Sequence, residues 1–288
     1  MSTYIPDISS LRWVIVSPKR VDRPDEYSNK VKRCPFCPGN EDMSVNEALR
    51  FGGGEKDKPG WTLRVIPNKY PITDYHEIVI HSPDEEKDFA DFEIPQIELI
   101  FKAYRDRYNF YKKKGNVLIF CNHGEHAGAS VRHPHSQIVV IPHQITLDTL
   151  VREPLNNIVQ ESQSFNLYCP EFSQWPYEVW LAPKKEGGIY GDITDEEIQE
   201  VSQMLQSMVL KLKKIYEDRP LSTLPFGFNF YIYPKENWYL RIIPRFIHKA
   251  GFELGTGLNV NIVDPKTAAL DLKDKDMGSV LEALKTYQ

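Results

Sequence analysis

Cysteine is scarce in this chain, with 4 in 288 residues. That is too few for a disulfide scaffold, so a folded core has to come from burial of apolar side chains. No stretch approaches the roughly 18 unbroken apolar residues of a membrane-spanning helix. Glycine (16) and proline (21) are too few for a collagen-like or largely disordered chain. Neither sign of charge dominates. The 35 Lys and Arg set against 40 Asp and Glu leave a net charge of −5, which argues against a nucleic-acid binder that neutralises many phosphates. A small phosphorylated ligand needs only a local cradle and stays compatible. The opening Met1-Ser-Thr-Tyr-Ile-Pro-Asp7 lacks the basic and apolar segments of a secretory signal. A cytoplasmic protein without a membrane partner is expected.

Two helices stand out. From Pro95, the residues Ile97, Ile100, Phe101, Tyr104, Tyr108 and Tyr111 recur at steps of three and four until Gly115, the pattern of an amphipathic helix. A second opens at Thr194-Asp-Glu-Glu197, a capping-box sequence, carries the stripe Ile198, Val201, Leu205, Met208, Leu212 and Ile215, and is stopped by Pro220. Around each helix the order of elements repeats. Strand-like runs at 76–80 and 177–181, each followed by a Ser-Pro or Ala-Pro pair, precede the helices. Runs at 116–121 and 133–141 follow the first, and runs at 228–233 and 238–243 follow the second. Short β-rich runs beside single helices predict an α+β fold of two duplicated halves, 1–150 and 151–288. The first segment adds a strand at 13–16 among charged loops. The tail at 271–276 reads as solvated, followed by a short helix over 279–287. Trp175, Trp180 and Trp238 read as core, and Cys121 and Cys169 as buried small apolar residues.

The chemistry concentrates in Asn122-His-Gly-Glu-His-Ala-Gly-Ala-Ser130-Val-Arg-His133-Pro-His135-Ser-Gln137. Five of the eight histidines lie between residues 123 and 143, where composition predicts fewer than one. Strand alternation sends His133, His135 and Gln137 to one side. The small residues Gly124, Gly128, Ala129 and Ser130 upstream let backbone N–H groups approach an anion. A neutral imidazole beside such a cradle suits attack at phosphorus, which divides one displacement into two through a covalent intermediate. Gln137 could hydrogen-bond a phosphate oxygen without adding negative charge. Elsewhere, Cys34-Pro-Phe-Cys37 reads as a metal site or a redox pair.

These motifs resemble the active-site segment of the galactose-1-phosphate uridylyltransferase family, within the histidine-triad superfamily. The resemblance extends over most of the chain. Arg12-Trp-Val-Ile-Val-Ser-Pro18 with Arg20 and Arg23, Cys34-Pro-Phe-Cys37, Arg64-Val-Ile-Pro-Asn68, Trp175-Pro-Tyr-Glu178 and Gly251-Phe-Glu-Leu-Gly-Thr-Gly257 are similar to dispersed family motifs in the same order. It implies two tandem histidine-triad-like halves, each a mainly antiparallel sheet with a packed helix. It further implies His135 as the nucleophile that takes UMP from UDP-glucose and passes it to a hexose 1-phosphate. Arg20, Arg23, Asn68, Asn122, Gly128, Ala129, Ser130 and Gln137 would hold the nucleotide and phosphates, and Phe252, Glu253 and Asn259 the sugar. Because the family's sugar-binding loop can come from the partner subunit, a homodimer is implied. Structural zinc is implied at Cys34, Cys37 and His133. Glu85 stands where the family usually has a fourth-ligand histidine, and His81 lies nearby. Only His248 follows residue 143, so no second metal site is expected. Aligning the closing prolines of the two halves sets Asn237 opposite His135, which implies a catalytically empty second half. Asn-His-Gly, His-Ser-Gln and Gly-Phe-Glu-Leu-Gly-Thr-Gly also resemble ADP-glucose phosphorylase, which hands the nucleotide to inorganic phosphate. The remaining alternatives are a dinucleotide phosphorylase and a non-catalytic nucleotide-sugar-binding regulator.

Overall fold

The computed structural model describes residues 2–7, 12–23, 25–27, 33–147, 155–218 and 225–274. The two periodic segments form helices α1 (Ile94–Tyr111) and α2 (Asp195–Asp218). The capping box at the start of α2 is formed: the Glu197 amide donates to Thr194 Oγ1 at 3.2 Å, and the Thr194 amide to Glu197 Oε2 at 2.8 Å. Beyond α1, the chain passes so near the end of the strand His135–Ile141 that a Cβ on Gly115 would lie 2.4 Å from the Ile141 carbonyl oxygen. Only glycine tolerates that approach.

Among the described residues, twelve strands accompany these helices. A hairpin pairs β1 (Thr3–Asp7) with β2 (Arg12–Val16). The first half of the main sheet holds β3 (Leu49–Gly52), β4 (Trp61–Pro67), β5 (His76–Ile80), β6 (Asn116–His123) and β7 (His135–Ile141). The second half holds β8 (Ile158–Glu161), β9 (Phe165–Tyr168), β10 (Val179–Pro183), β11 (Phe228–Ile232) and β12 (Leu240–Pro244). All ten form one antiparallel sheet in the order β3-β4-β5-β7-β6-β11-β12-β10-β9-β8. Read outward from its centre, each side has the same topology, and β6 and β11 join the two sides, pairing Phe228 with His123 through Ile232 with Ile119. The fold is therefore α+β with a large antiparallel sheet, and the order of elements repeats across its middle.

Alternation gives the sheet two different faces. One carries Leu63, Val65, Val79, Ile119, Ile138, Phe230 and Leu240 and packs under α1 and α2 in a continuous apolar cluster. Fully burying each such side chain contributes roughly 1.5–3 kcal/mol, so this layer supplies most of the cohesion. The opposite face carries a row of cross-strand partners: Ile66, Ile78, Gln137, Phe120, Tyr231, Arg241, Trp180, Tyr168 and Ile158. Candidate site residues lie here.

Several expectations change. The strand read from residue 133 begins at His135, and the one read from residue 177 begins at Val179, because Tyr177 has a positive φ of 57°. The segment read as a solvated tail from Asp271 is the end of a further helix, α4 (Pro265–Asp274). Its Ala268, Ala269 and Leu272 form a one-sided stripe that is buried, and Lys211 Nζ donates to the Leu272 carbonyl at 2.8 Å. A short helix, α3 (Gly251–Thr256), precedes it. The helix expected over 279–287, Pro220 and the half boundary near residue 150 lie outside the described residues. Trp175, Trp180, Trp238, Cys121 and Cys169 are all buried.

Candidate active site

Strand β7 sits between β5 and β6, and Gln137 pairs with Ile78 on one side and Phe120 on the other. That register aims His135 and Gln137 from the open face into a cavity of about 470 Å³, a size suited to a small ligand. Its apolar wall includes Phe36, Ile66 and Ile78; Arg20, Arg23 and Asn68 supply its polar edge. Arg20 donates to the Tyr70 carbonyl at 2.9 Å. Arg23 donates to Ser130 Oγ at 2.8 Å and to the Gly128 carbonyl at 3.2 Å. Burial lowers the pKa of both guanidiniums, and their mutual repulsion adds to the effect at Arg20. Two partly desolvated cations at one opening attract an anion.

His135 is 8% exposed, and its Nδ1 lies 2.8 Å from the His133 carbonyl oxygen. A carbonyl only accepts, so Nδ1 carries the proton and Nε2 keeps the lone pair. Burial lowers the pKa of this ring to about 4 from the ordinary 6.5. The imidazole is therefore neutral near pH 7, with a defined nitrogen available for attack. Phe36 fixes the ring plane through an edge contact with centroids 5.2 Å apart.

Downstream of β6, Gly124 and Gly128 take positive φ values of 86° and 78° around a single 3-10 turn. At Gly124 a side chain would also meet the Gly227 Cα at 3.1 Å, so both conformation and space require glycine. Asn229 of β11 donates to Asn122 Oδ1 at 2.8 Å and to the Ala127 carbonyl at 2.9 Å, so the second half braces this loop. Among the residues expected to hold nucleotide or phosphate, Arg20, Arg23, Asn68, Ser130 and Gln137 line the cavity with His135. Asn122 and Ala129 instead line a much smaller space that His135 also borders, and Gly128 lies between them in the loop. Phe252 and Asn259 are exposed, Glu253 is half-buried, and the three line neither space. Glu253 accepts the Ala250 amide at 2.9 Å at the start of α3.

Cys34, Cys37, Glu85 and His133 bring one ligand atom each to within 4.8 Å of one another. His133 Nε2 is 2.7 Å from the Ser82 carbonyl, which fixes the proton there and turns the Nδ1 lone pair toward the sulfurs. Nδ1 lies 3.6 Å from both Sγ atoms. Tetrahedral zinc with ordinary Zn–S and Zn–N bonds separates such ligands by roughly 3.6 Å, so the donor set fits zinc. His81 takes no part in this cluster: its Nε2 lies 2.6 Å from Ser136 Oγ, beside the Tyr104 hydroxyl.

The sequence did not single out His76, Phe36 or Ile78. His76 had a usable signal, since it shares the parity of Ile78 and Ile80 on a strand beside the histidine motif.

Comparison with known proteins gives this geometry a context. Residues 73–144, which carry β5, α1, β6 and β7, match the family model for the galactose-1-phosphate uridyl transferase N-terminal domain. The chain is a relative of that family. ADP-glucose phosphorylase of Arabidopsis thaliana is 27% identical across 91% of this chain and 90% of its own length. Galactose-1-phosphate uridylyltransferase of Thermotoga maritima is 24% identical across 92% and 96%, respectively. The crystal structure of the Arabidopsis phosphorylase with bound ADP-glucose superposes with a TM-score of 0.72 at 25% identity, covering 96% of this chain and all 100% of the other. A uridylyltransferase structure at 21% identity, TM-score 0.73, shows the same fold over 99% of both chains.

Proposed function

We propose that this uridylyltransferase relative is a nucleotidyltransferase working through a covalent His135–nucleotide intermediate. One observation carries the reading: a neutral histidine with its Nδ1–H tied to a carbonyl faces a cavity edged by two arginines. In the first half-reaction, the Nε2 lone pair attacks the α-phosphorus of a nucleotide sugar, an N–P bond forms, and the P–O bond to the sugar phosphate breaks. Arg20, Arg23 and Ser130 hold the phosphates, while Asn68 and the apolar wall receive the nucleoside. Gln137 donates to the departing oxygen. In the second half-reaction an acceptor oxygen attacks phosphorus and His135 leaves as neutral imidazole, giving ping-pong kinetics.

The expected donor is UDP-glucose and the expected acceptor a hexose 1-phosphate. A second reading, ADP-glucose with inorganic phosphate as acceptor, is supported by the extent of the similarity to the Arabidopsis phosphorylase. On either reading Cys34, Cys37, Glu85 and His133 would hold a structural zinc, which when bound would tie the Cys34–Cys37 turn to the base of β7. Phe252, Glu253 and Asn259 would reach a sugar only across a homodimer.

The test is a two-step experiment on the whole protein. Exposure to α-phosphate-labelled UDP-glucose or ADP-glucose should leave label on His135, stable to denaturation and lost in acid. A chase with galactose 1-phosphate or with phosphate then identifies the acceptor as the one that strips the label. If no label is retained from either donor, the covalent scheme fails and the binding-regulator alternative takes its place.

A further inference from the structure

One buried side chain beside the cavity has its tautomer set by a backbone donor. His76, at the start of β5, is 4% exposed. The Ile72 backbone amide donates to its Nδ1 at 2.9 Å. A backbone N–H only donates, so Nδ1 must be the unprotonated nitrogen. Burial, with Arg20 and Arg23 close by, depresses the pKa of this ring to about 3. The neutral ring therefore carries its one proton on Nε2.

That proton dictates the next group. Nε2 lies 3.0 Å from Gln137 Oε1, and an N–H there can be met only by the amide oxygen. Flipping the carboxamide would set two donors face to face in a buried place and leave the Nε2 hydrogen unmet. Asn68 Nδ2 lies 3.2 Å from the same nitrogen, and both atoms bear hydrogens, so no hydrogen bond joins them. The Asn68 orientation is set separately, since the Tyr70 amide donates to its Oδ1 at 2.8 Å. Both carboxamides line the cavity with their oxygens already occupied.

We propose that His76 is a positioning residue that sets the polarity of the site: its tautomer holds the Gln137 oxygen back and presents the amide N–H to the oxygen that leaves phosphorus. This rests on the nucleotidyl-transfer reading above. A free carboxamide would point its oxygen at the phosphates in one of two orientations and repel them. The locked one offers only donors, in the direction where negative charge grows as the P–O bond breaks.

Two measurements test this. The first uses the free wild-type protein with 15N-labelled histidine. Long-range 1H–15N spectra, with His76 assigned by its absence from the His76→Gln spectrum, should show the Nε2–H tautomer at neutral pH. An Nδ1–H tautomer overturns the proposal. The second is single-turnover labelling of His135. His76→Leu should lower the saturated labelling rate about 10–100-fold, with half-saturation changed less than about threefold. His76→Gln, which restores a donor toward Gln137, should recover most of the rate. Gln137→Glu should lose more than Gln137→Met, because His76 then holds one carboxylate oxygen and the other faces the phosphates. A folded His76→Leu protein labelling at the wild-type rate, or Glu and Met variants at position 137 behaving alike, also overturns it. If wild-type protein takes up no label at all, the reaction itself fails, while the tautomer spectrum still decides the orientation of Gln137.

Discussion

The two sides of the ten-stranded sheet share one topology and differ on the face turned away from the helices. On the first side that face is open: His135 and Gln137 line a cavity with Arg20 and Arg23 at its edge, and His76 is hydrogen-bonded to Gln137. On the second it is filled. Trp180 stacks on Tyr239 with centroids 4.0 Å apart, and Tyr239 on Tyr233 at 5.0 Å. Arg241 closes a buried bidentate pair with Glu178, both contacts at 2.8 Å, and Trp180 Nε1 donates to the same carboxylate at 2.7 Å. Gln137 and Arg241 belong to one cross-strand row, so equivalent faces of one sheet hold an imidazole-lined hollow and an aromatic plug. The helix-facing layer sustains the repeat, which frees the opposite face to be shaped for chemistry on one side and for packing on the other. Asn237, which the proline alignment sets against His135, lies exposed in a turn with a φ of 57°, and its Oδ1 accepts the Gly187 amide at 2.8 Å.

The largest effect should come from removing the imidazole that distinguishes the sides. His135→Ala is expected to reduce nucleotide transfer by at least about a thousandfold, with thermal unfolding near that of the wild type. Asn237→His placed in the His135→Ala protein should restore no label, since residue 237 lines neither of the two spaces that His135 borders. Label retained by the His135→Ala protein, or found on the second side, would break the comparison.

A smaller effect tests the plug. Arg241→Met leaves the Glu178 carboxylate, 1% exposed, without its cation. The expected loss is about 3–5 kcal/mol in denaturant unfolding, with label uptake per folded molecule kept. A neutral result would mean that the pair contributes no more than apolar packing would.

The smallest effect is a slope. His76 has its pKa depressed to about 3, against 6.5 for the free ring. Between those values the unfolded chain binds a proton that the native protein does not, so stability rises with pH through this window and is lost as pH falls below 6.5. The contribution approaches about 1.4 kcal/mol per pH unit. Unfolding free energies of wild type and His76→Gln measured between about pH 7 and 5 should converge as pH falls. Parallel curves would show that His76 titrates normally.

Much of the frame could be read from residue order. The period of 3.6 located α1 and α2, the Thr194–Glu197 box located a helix start, and matching runs around the helices disclosed the repeated order of elements. Alternation along β7 paired His135 with Gln137. Other parts were closed to such reading. β3, β4, β8 and β9 stand outside the runs that repeat around the two helices, and the stripe of α4 hid within a charged run. His133 was assigned to the strand, yet it stands on the bend before it, where its ring turns to Cys34 and Cys37.

The amino-acid order alone therefore singled out most of the residues proposed to bear the chemistry, because periodicity and motif spacing are local properties of a chain. The tertiary structure decided how those residues act. Only the β5–β7 register sets His76 beside Gln137, and only burial against Phe36 and the sheet keeps the His135 ring neutral. Hydrogen bonds to Ile72, His133 and Ser82 choose the tautomer of each histidine, and these partners are separated in sequence by as few as two residues and as many as 51.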